Sequence, residues 1–196
     1  ASDSDSDNDF DGSTALEEFA ARTSPTESDQ KTQIVYLESE PFVAGFTNTV
    51  KVYYRSSDGI TGLNGLGIRV HYNSQLIDTF ALKNLLLVDL IAAESVAMPD
   101  SSDYDNDPTT DSYLTIAWAA QSGSSWPGAV PIKLFDLAID FSDQVTADDK
   151  VNIRFSASST HPGYGFSGAR LKTTVNVNSL DIDGDTNPDA LSDGLL

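Results

Sequence analysis

Cysteine is absent from the 196 residues, so neither a disulfide framework nor thiol chemistry is open to this chain. Basic residues are scarce. Eleven Lys and Arg against 30 Asp and Glu give a net charge of -19, which argues electrostatically against nucleic acid and against anionic membrane surfaces as partners. No apolar run reaches the roughly 18–20 residues of a spanning helix, so membrane insertion is not expected. No signal peptide precedes Ala1, and the chain reads as a mature or excised segment. The two histidines, His71 and His161, are far apart in sequence with no companion pattern. Gly-x-Ser-x-Gly elbows and phosphate-cradling glycine loops are missing too. Catalysis needs a base, an acid or a nucleophile gathered in a pocket, and the expectation is that the chain is not an enzyme.

What the chain has in abundance is carboxylate, arranged in ladders. Residues 7–18 read DNDFDGSTALEE and place Asp7, Asp9 and Asp11 at positions 1, 3 and 5 of a twelve-residue loop, with Gly12 at 6, Ser13 at 7 and Glu18 at 12. This is the D-x-[DN]-x-[DN]-G-x5-E calcium pattern. A hard cation wants six to eight oxygens at about 2.3–2.6 Å, which alternate carboxylates of a tight loop supply. Gly12 provides the turn, the Ser13 carbonyl a backbone ligand, and Glu18 closes the shell. Ala15 stands at position 9, where a water must serve. A short helix is expected over residues 16–22, followed by a Ser/Thr/Pro-rich linker over 23–31.

The stretch 5–30, DSDNDFDGSTALEEFAARTSPTESDQ, resembles the calcium-binding repeats of bacterial surface proteins related to EF-hands and thrombospondin type 3 repeats. That resemblance implies Ca2+ as cofactor. Such sites fill at the millimolar calcium found outside cells, so the location expected is extracellular or cell-surface.

The middle of the chain switches to period two. Residues 33–38 (QIVYLE), 49–55 (TVKVYYR), 66–72 (LGIRVHY), 113–119 (YLTIAWA), 132–141 (IKLFDLAIDF), 151–157 (VNIRFSA) and 169–177 (ARLKTTVNV) alternate apolar with polar as half-buried strands do. Residues 73–82 read as a turn and a further short strand. Leu66, Ile68, Val70 and Tyr72 are expected inward, which turns His71 outward as a surface residue. Over 132–141 too many apolar residues compete for one face, as at a bulge or under burial on both sides. The run 84–93, NLLLVDLIAA, leaves helix and buried strand open, with its alanines favouring a short helical or irregular plug. Residues 158–168 read as a Gly-rich loop. Short strands between turn clusters describe a mainly β chain, a single antiparallel β-sandwich over 31–178 of jelly-roll type, with calcium-loop segments at 1–30 and 179–196. LGIRVHYNSQLIDTF, residues 66–80, resembles the third strand and turn of cohesin-type sandwiches, and the likeness in strand order extends over much of 33–178.

Two further acidic stretches remain. In 97–112 Asp103, Asp105, Asp107 and Asp111 have spacing that can converge on a cation, yet lack a turn Gly and a closing Glu. They read either as a calcium loop or as a solvated one. At the end LDIDGDTNPDALSDGLL, residues 180–196, puts Asp181, Asp183, Asp185 and Asp189 at positions 1, 3, 5 and 9, with Asn187 at 7. It is similar to the first calcium half of dockerin-like modules. Thr186 replaces the usual Gly and Asp193 falls one residue late, so the resemblance is to a partial loop. Among loop aromatics, Trp126, Tyr164 and Phe166 are candidates for a sugar-stacking platform, and burial in the core is the competing reading for Trp126. The main expectation is a calcium-stabilised subunit of an extracellular assembly, joined to itself or to another protein through its calcium-bound ends. The alternative is a recognition module, either carbohydrate-binding with polysaccharide as ligand or cohesin-like.

Overall fold

The computed structural model describes residues 31–39, 41–60, 63, 65–87, 90–120, 131–142, 145–146 and 149–175. The terminal ladders from Asp7 to Glu18 and from Asp181 to Asp193, together with Trp126, lie outside the described residues.

Alternation builds the strands. β1 (Thr32–Ser39), β2 (Asn48–Ser56), β3 (Gly65–Tyr72) and β4 (Ile77–Lys83) come first. Then follow β5 (Leu90–Glu94), β6 (Met98–Pro99), β7 (Ser112–Ala120) and β8 (Ile132–Phe141). β9 (Lys150–Ser159), β10 (Gly165–Gly168) and β11 (Arg170–Thr174) complete the order. They form a five-stranded sheet, β10-β1-β2-β8-β4, and a six-stranded one, β11-β9-β3-β7-β5, in which β6 also pairs with β7. The pairing is antiparallel throughout except at the edge, where β10 runs parallel to β1. The expected antiparallel sandwich stands, with one parallel pair added. The region read as a Gly-rich loop at 158–168 ends in that extra strand.

Because side chains alternate faces along a strand, each central strand sends one apolar set inward. Val50, Val52 and Tyr54 of β2 meet Leu66, Ile68 and Val70 of β3 in a core where each is at most 1% exposed. Leu137 and Ile139 of β8 and Ile153 of β9 are as deeply buried. The competition along β8 resolves as a bulge: Val52 pairs with Phe135 and Tyr53 with Lys133, leaving Leu134 as an extra residue. Both Leu134 and Phe135 then face the core, fully buried. Among the described residues of 84–93 there is no helix. Leu85 and Leu86 pack irregularly against the core, and residues 90–94 form β5 on β7. The stretch must carry the chain from one sheet to the other. The Leu86 amide donates to the Leu134 carbonyl (2.7 Å) and the Trp118 indole to the Leu86 carbonyl (3.0 Å), which satisfies the crossing backbone.

A buried glutamine closes one end. The Gln33 amide group donates to the Tyr54 hydroxyl and the Gly65 carbonyl, both at 3.2 Å, and its oxygen accepts the His161 N–H at 2.7 Å. One side chain thus joins both sheets and the loop before β10, with its own polar atoms satisfied.

Replacing Ile68 by Ala is expected to lower unfolding free energy by about 2–5 kcal/mol, whereas Lys51→Ala, on the solvent face, shifts it by less than about 0.5 kcal/mol. Gly168→Ala also destabilises, because a Cβ there collides with the Phe155 carbonyl. Urea titration of the three variants reads all three effects.

Candidate functional site

β3 is hydrogen-bonded to β7 on one side and β9 on the other. Its even residues enter the core, and its odd residues, Arg69 and His71 among them, face outward. Arg69 is half-buried there, and His71 does not reach solvent at all. Residues 100–111, between β6 and β7, fold back over this outer face, and His71 is completely buried. The expectation of a surface histidine is therefore corrected: alternation gives the correct face, and a distant loop covers it.

The His71 ring is held from both sides. Nδ1 lies 2.8 Å from Asp100 Oδ2, and Nε2 lies 2.7 Å from the Ser156 hydroxyl of β9. Asp105 Oδ1 is 3.9 Å from the same Nδ1. Further along the loop, Asp105 Oδ2 accepts from the Thr110 hydroxyl (2.8 Å) and faces Arg154 Nε at 3.6 Å. Asp107 Oδ2 accepts from Arg154 Nη1 (3.0 Å) and from the Asn152 amide (2.7 Å). Arg69 lays its guanidinium over the Tyr104 ring, 4.0 Å from the centroid, and donates to the Ala157 carbonyl. Asp103 and Asn106 take positive φ (48° and 54°), a conformation their short polar side chains tolerate.

The four loop aspartates named from sequence therefore have separate roles. Asp103 Oδ1 accepts the Asp107 amide at 2.6 Å, and Asp111 holds the turn after β3 through the Ser74 amide (2.7 Å) and hydroxyl (2.8 Å). Asp105 and Asp107 tie the loop to β9. Among the described residues, the one group of three or more acidic or histidine side chains whose donor atoms gather is His71, Asp100 and Asp105, within 4.8 Å of one another. Of the four, Asp105 alone belongs to it. His71, Asp100, Ser156, Asn152 and Arg154 were not singled out by spacing. The available signal was polar residues at alternate positions of β3 and β9, on strands otherwise rich in apolar residues.

Burial pushes the His71 imidazole below its ordinary pKa, against the upward pull of the Asp105 and Asp100 carboxylates. Burial of Asp107 works to raise its carboxyl, but hydrogen bonds from Thr109, Asn152 and Arg154 outweigh it and hold the group well below the carboxylate range. Ser156, His71 and Asp100 follow the hydrogen-bond order of a nucleophilic relay. Ser156 sits mid-strand opposite Arg69, however, and the ring is sealed from solvent. The arrangement orients an imidazole and presents no substrate-accessible base.

The aromatic candidates behave differently from a platform. Tyr164 and Phe166 are partly buried and pack against the core. The Tyr164 hydroxyl donates to Asp58 at 2.6 Å, and that bond raises its pKa to about 12.

The other sheet offers an open face. Register places Tyr36, Tyr53 and Lys133 in one row across β1, β2 and β8. The neighbouring row runs Glu38, Lys51, Asp136, Lys83 across β1, β2, β8 and β4, alternating in sign. The two tyrosine rings stack, centroids 5.4 Å apart and 16° from parallel. Lys133 donates to both oxygens of Asp136 (2.9 and 2.8 Å), and Asn84 donates to Oδ2 at 2.7 Å. These bonds hold the Asp136 carboxyl below its usual range.

Arg154→Met leaves the Asp105 and Asp107 carboxylates without their cation; a loss of about 1–3 kcal/mol is expected, with faster amide exchange at Asn106 and Thr110. Because the folded pKa of Asp107 lies below its unfolded value near 3.8, its stabilisation is present above that pH and lost as pH falls through and below it. Asp107→Asn is expected to flatten the acid limb of a stability-versus-pH curve.

No family model and no curated protein sequence matches this chain. Solved structures similar to it include the cohesin module of a family 33 glycoside hydrolase from Clostridium perfringens, 10% identical over 74% of this chain and 98% of that one, with a TM-score of 0.49. The seventh ScaB type I cohesin of Pseudobacteroides cellulosolvens is 11% identical over 74% and 92%, also at 0.49. A type I cohesin–dockerin complex from Clostridium thermocellum is 11% identical over 72% and 98%, again at 0.49. These scores lie below 0.5, and the sandwich architecture of this chain stands on its own strand pairing.

Proposed function

We propose that this chain is a non-catalytic, extracellular protein-recognition module that binds its partner on the outer face of the five-stranded sheet. The observation that carries the reading is the stacked Tyr36–Tyr53 pair beside the charge row Glu38–Lys51–Asp136–Lys83. Tyrosine and arginine are enriched where proteins meet, aromatic anchors supply most of the binding energy, and flanking charges set register and encounter rate.

Arg55 lies opposite Ile34 at the end of the same face. Across the outward positions of β1, β2, β8 and β4, four cations (Lys51, Arg55, Lys83, Lys133) meet three carboxylates (Glu38, Asp136, Asp140). In a chain of net charge -19 that local excess of positive charge selects a partner patch that is apolar at its centre and acidic at its rim. A sugar ligand is supported less well, since Tyr164 and Phe166 are packed against the core. Calcium at the terminal ladders belongs to the proposal as a stiffening ion. A site with a Kd of about 100 μM in about 10 mM calcium stabilises the bound form by roughly 2.7 kcal/mol.

The test immobilises the full chain in calcium buffer and exposes it to the secreted proteins of its source organism, beside Tyr53→Ser and Lys51→Glu chains. The expected outcome is a defined secreted protein retained by the parent chain and weakened at least about tenfold by either substitution. Equal retention by all three chains, or calcium-reversible multimers of the chain alone with nothing else bound, would overturn it.

A further inference from the structure

The junction between β3 and the acidic loop contains a polar atom with no partner. Asp105 Oδ1 is buried, accepts no hydrogen bond from any of the described residues, and points at His71 Nδ1 from 3.9 Å. A buried carboxylate oxygen left bare is costly and calls for an explanation, an unseen ion among them.

The surroundings are arranged around that gap. Each of the two carboxylates is held by one oxygen and presents the other. Asp100 Oδ1 accepts the Tyr104 amide at 3.2 Å while Oδ2 faces the ring nitrogen at 2.8 Å. Asp105 Oδ2 is held by the Thr110 hydroxyl at 2.8 Å and by Arg154 Nε at 3.6 Å, while Oδ1 faces the same nitrogen. On the far side of the ring, the Ser156 hydroxyl lies 2.7 Å from Nε2. It can accept an Nε2–H as readily as donate, which leaves Nδ1 free as a lone-pair donor. All three side chains are at most 1% exposed. Among the described residues, the one permanent cation within ion-pair distance of either carboxylate is Arg154, and Asp107 shares it.

We propose that His71 Nδ1, Asp100 and Asp105 Oδ1 bind a divalent first-row transition ion of the Zn2+ class, with Ser156 fixing the tautomer from the second side of the ring. The donor set decides the ion. Calcium takes six to eight oxygens, whereas one imidazole nitrogen with two carboxylate oxygens suits zinc and its neighbours, leaving a fourth position for water. The spacing is close to what such an ion needs. Metal–ligand bonds of about 2.0–2.2 Å put tetrahedral donors about 3.4 Å apart. The 2.8 Å contact of Nδ1 with Asp100 must open by about half an ångström and the 3.9 Å contact with Asp105 must close by a similar amount, while the two carboxylate oxygens, which lie within 4.8 Å of each other, close by up to about 1.4 Å through side-chain rotation. Backbone and side-chain bonds to the outer oxygens and to Nε2 are the supports that metal-binding His and carboxylate groups ordinarily have. This site is distinct from the terminal ladders and does not depend on the recognition face.

The experiment uses the full chain, stripped with chelator and equilibrated with Zn2+ or Co2+ in millimolar CaCl2, so that calcium occupies the oxygen-only sites. One zinc per chain is expected to remain after dialysis, a visible cobalt band is expected in the Co2+ form, and the His71 ring nitrogens are expected to shift in a nitrogen–proton spectrum while those of His161 do not. Asp105→Asn keeps the shape and the Thr110 contact, and is expected to weaken zinc binding about 100-fold; Ser156→Ala is expected to weaken it about tenfold. The His71 spectrum of the parent chain keeps the test independent of whether a variant folds. Unmoved His71 resonances, zinc retained equally by a folded Asp105→Asn chain, or displacement of the zinc by calcium would each overturn the proposal.

Discussion

Burial of β3 on both faces is the constraint on which the rest of the molecule depends. Its inner residues Leu66, Ile68, Val70 and Tyr72 belong to a dry core, as any central strand of a sandwich requires. Its outer residues belong to a second interior, made of polar and charged groups, beneath the 100–111 loop. A strand hydrogen-bonded on both edges and covered on both faces has little freedom to slip, since a one-residue shift would place Arg69 and His71 in the apolar core. The register of β7 and β9 is pinned with it.

The second interior resolves an electrostatic difficulty. A chain with 30 acidic residues repels itself, and the loop concentrates several of those charges. Docking brings Asp105 and Asp107 to Arg154, and Asp107 to Asn152, while Tyr104 covers the Arg69 guanidinium. Buried charges are tolerated only when paired and hydrogen-bonded. All but one of the loop oxygens turned toward the sheet meet that condition, and the exception lies beside an imidazole nitrogen.

The two sheets thus divide the work. The 100–111 loop covers the six-stranded sheet around His71 and Arg154, and the polar residues beneath it serve stability and the ion proposed above. The five-stranded sheet keeps an open face with stacked tyrosines and paired charges, the face proposed above for a partner. The edges are managed separately: β10 adds a parallel strand to β1, covering backbone that would otherwise invite uncontrolled pairing.

Period-two alternation in VKVYY, GIRVH and VNIRF was enough to place the main strands, the inward set of β3 and the crowding that becomes the β8 bulge, because side-chain direction along an extended strand is a local property. Spacing also gives the expectation of ion-binding loops at the terminal ladders, since that chemistry is prescribed within twelve consecutive residues, and those ladders lie outside the described residues. Local pattern did not reveal that His71 is buried, that NLLLVDLIAA crosses between sheets before becoming β5, or that Asp100 and Ser156 meet one ring from opposite sides. Those facts depend on residues 29 and 85 positions apart being brought together by the β6–β7 loop and the β3–β9 pairing. Composition and periodicity determined that this would be an acidic two-sheet sandwich. Which outward residues remain in water and which are sealed was decided only when the loop closed over the middle of one sheet and left the other bare, because covering a face depends on the path of the whole chain.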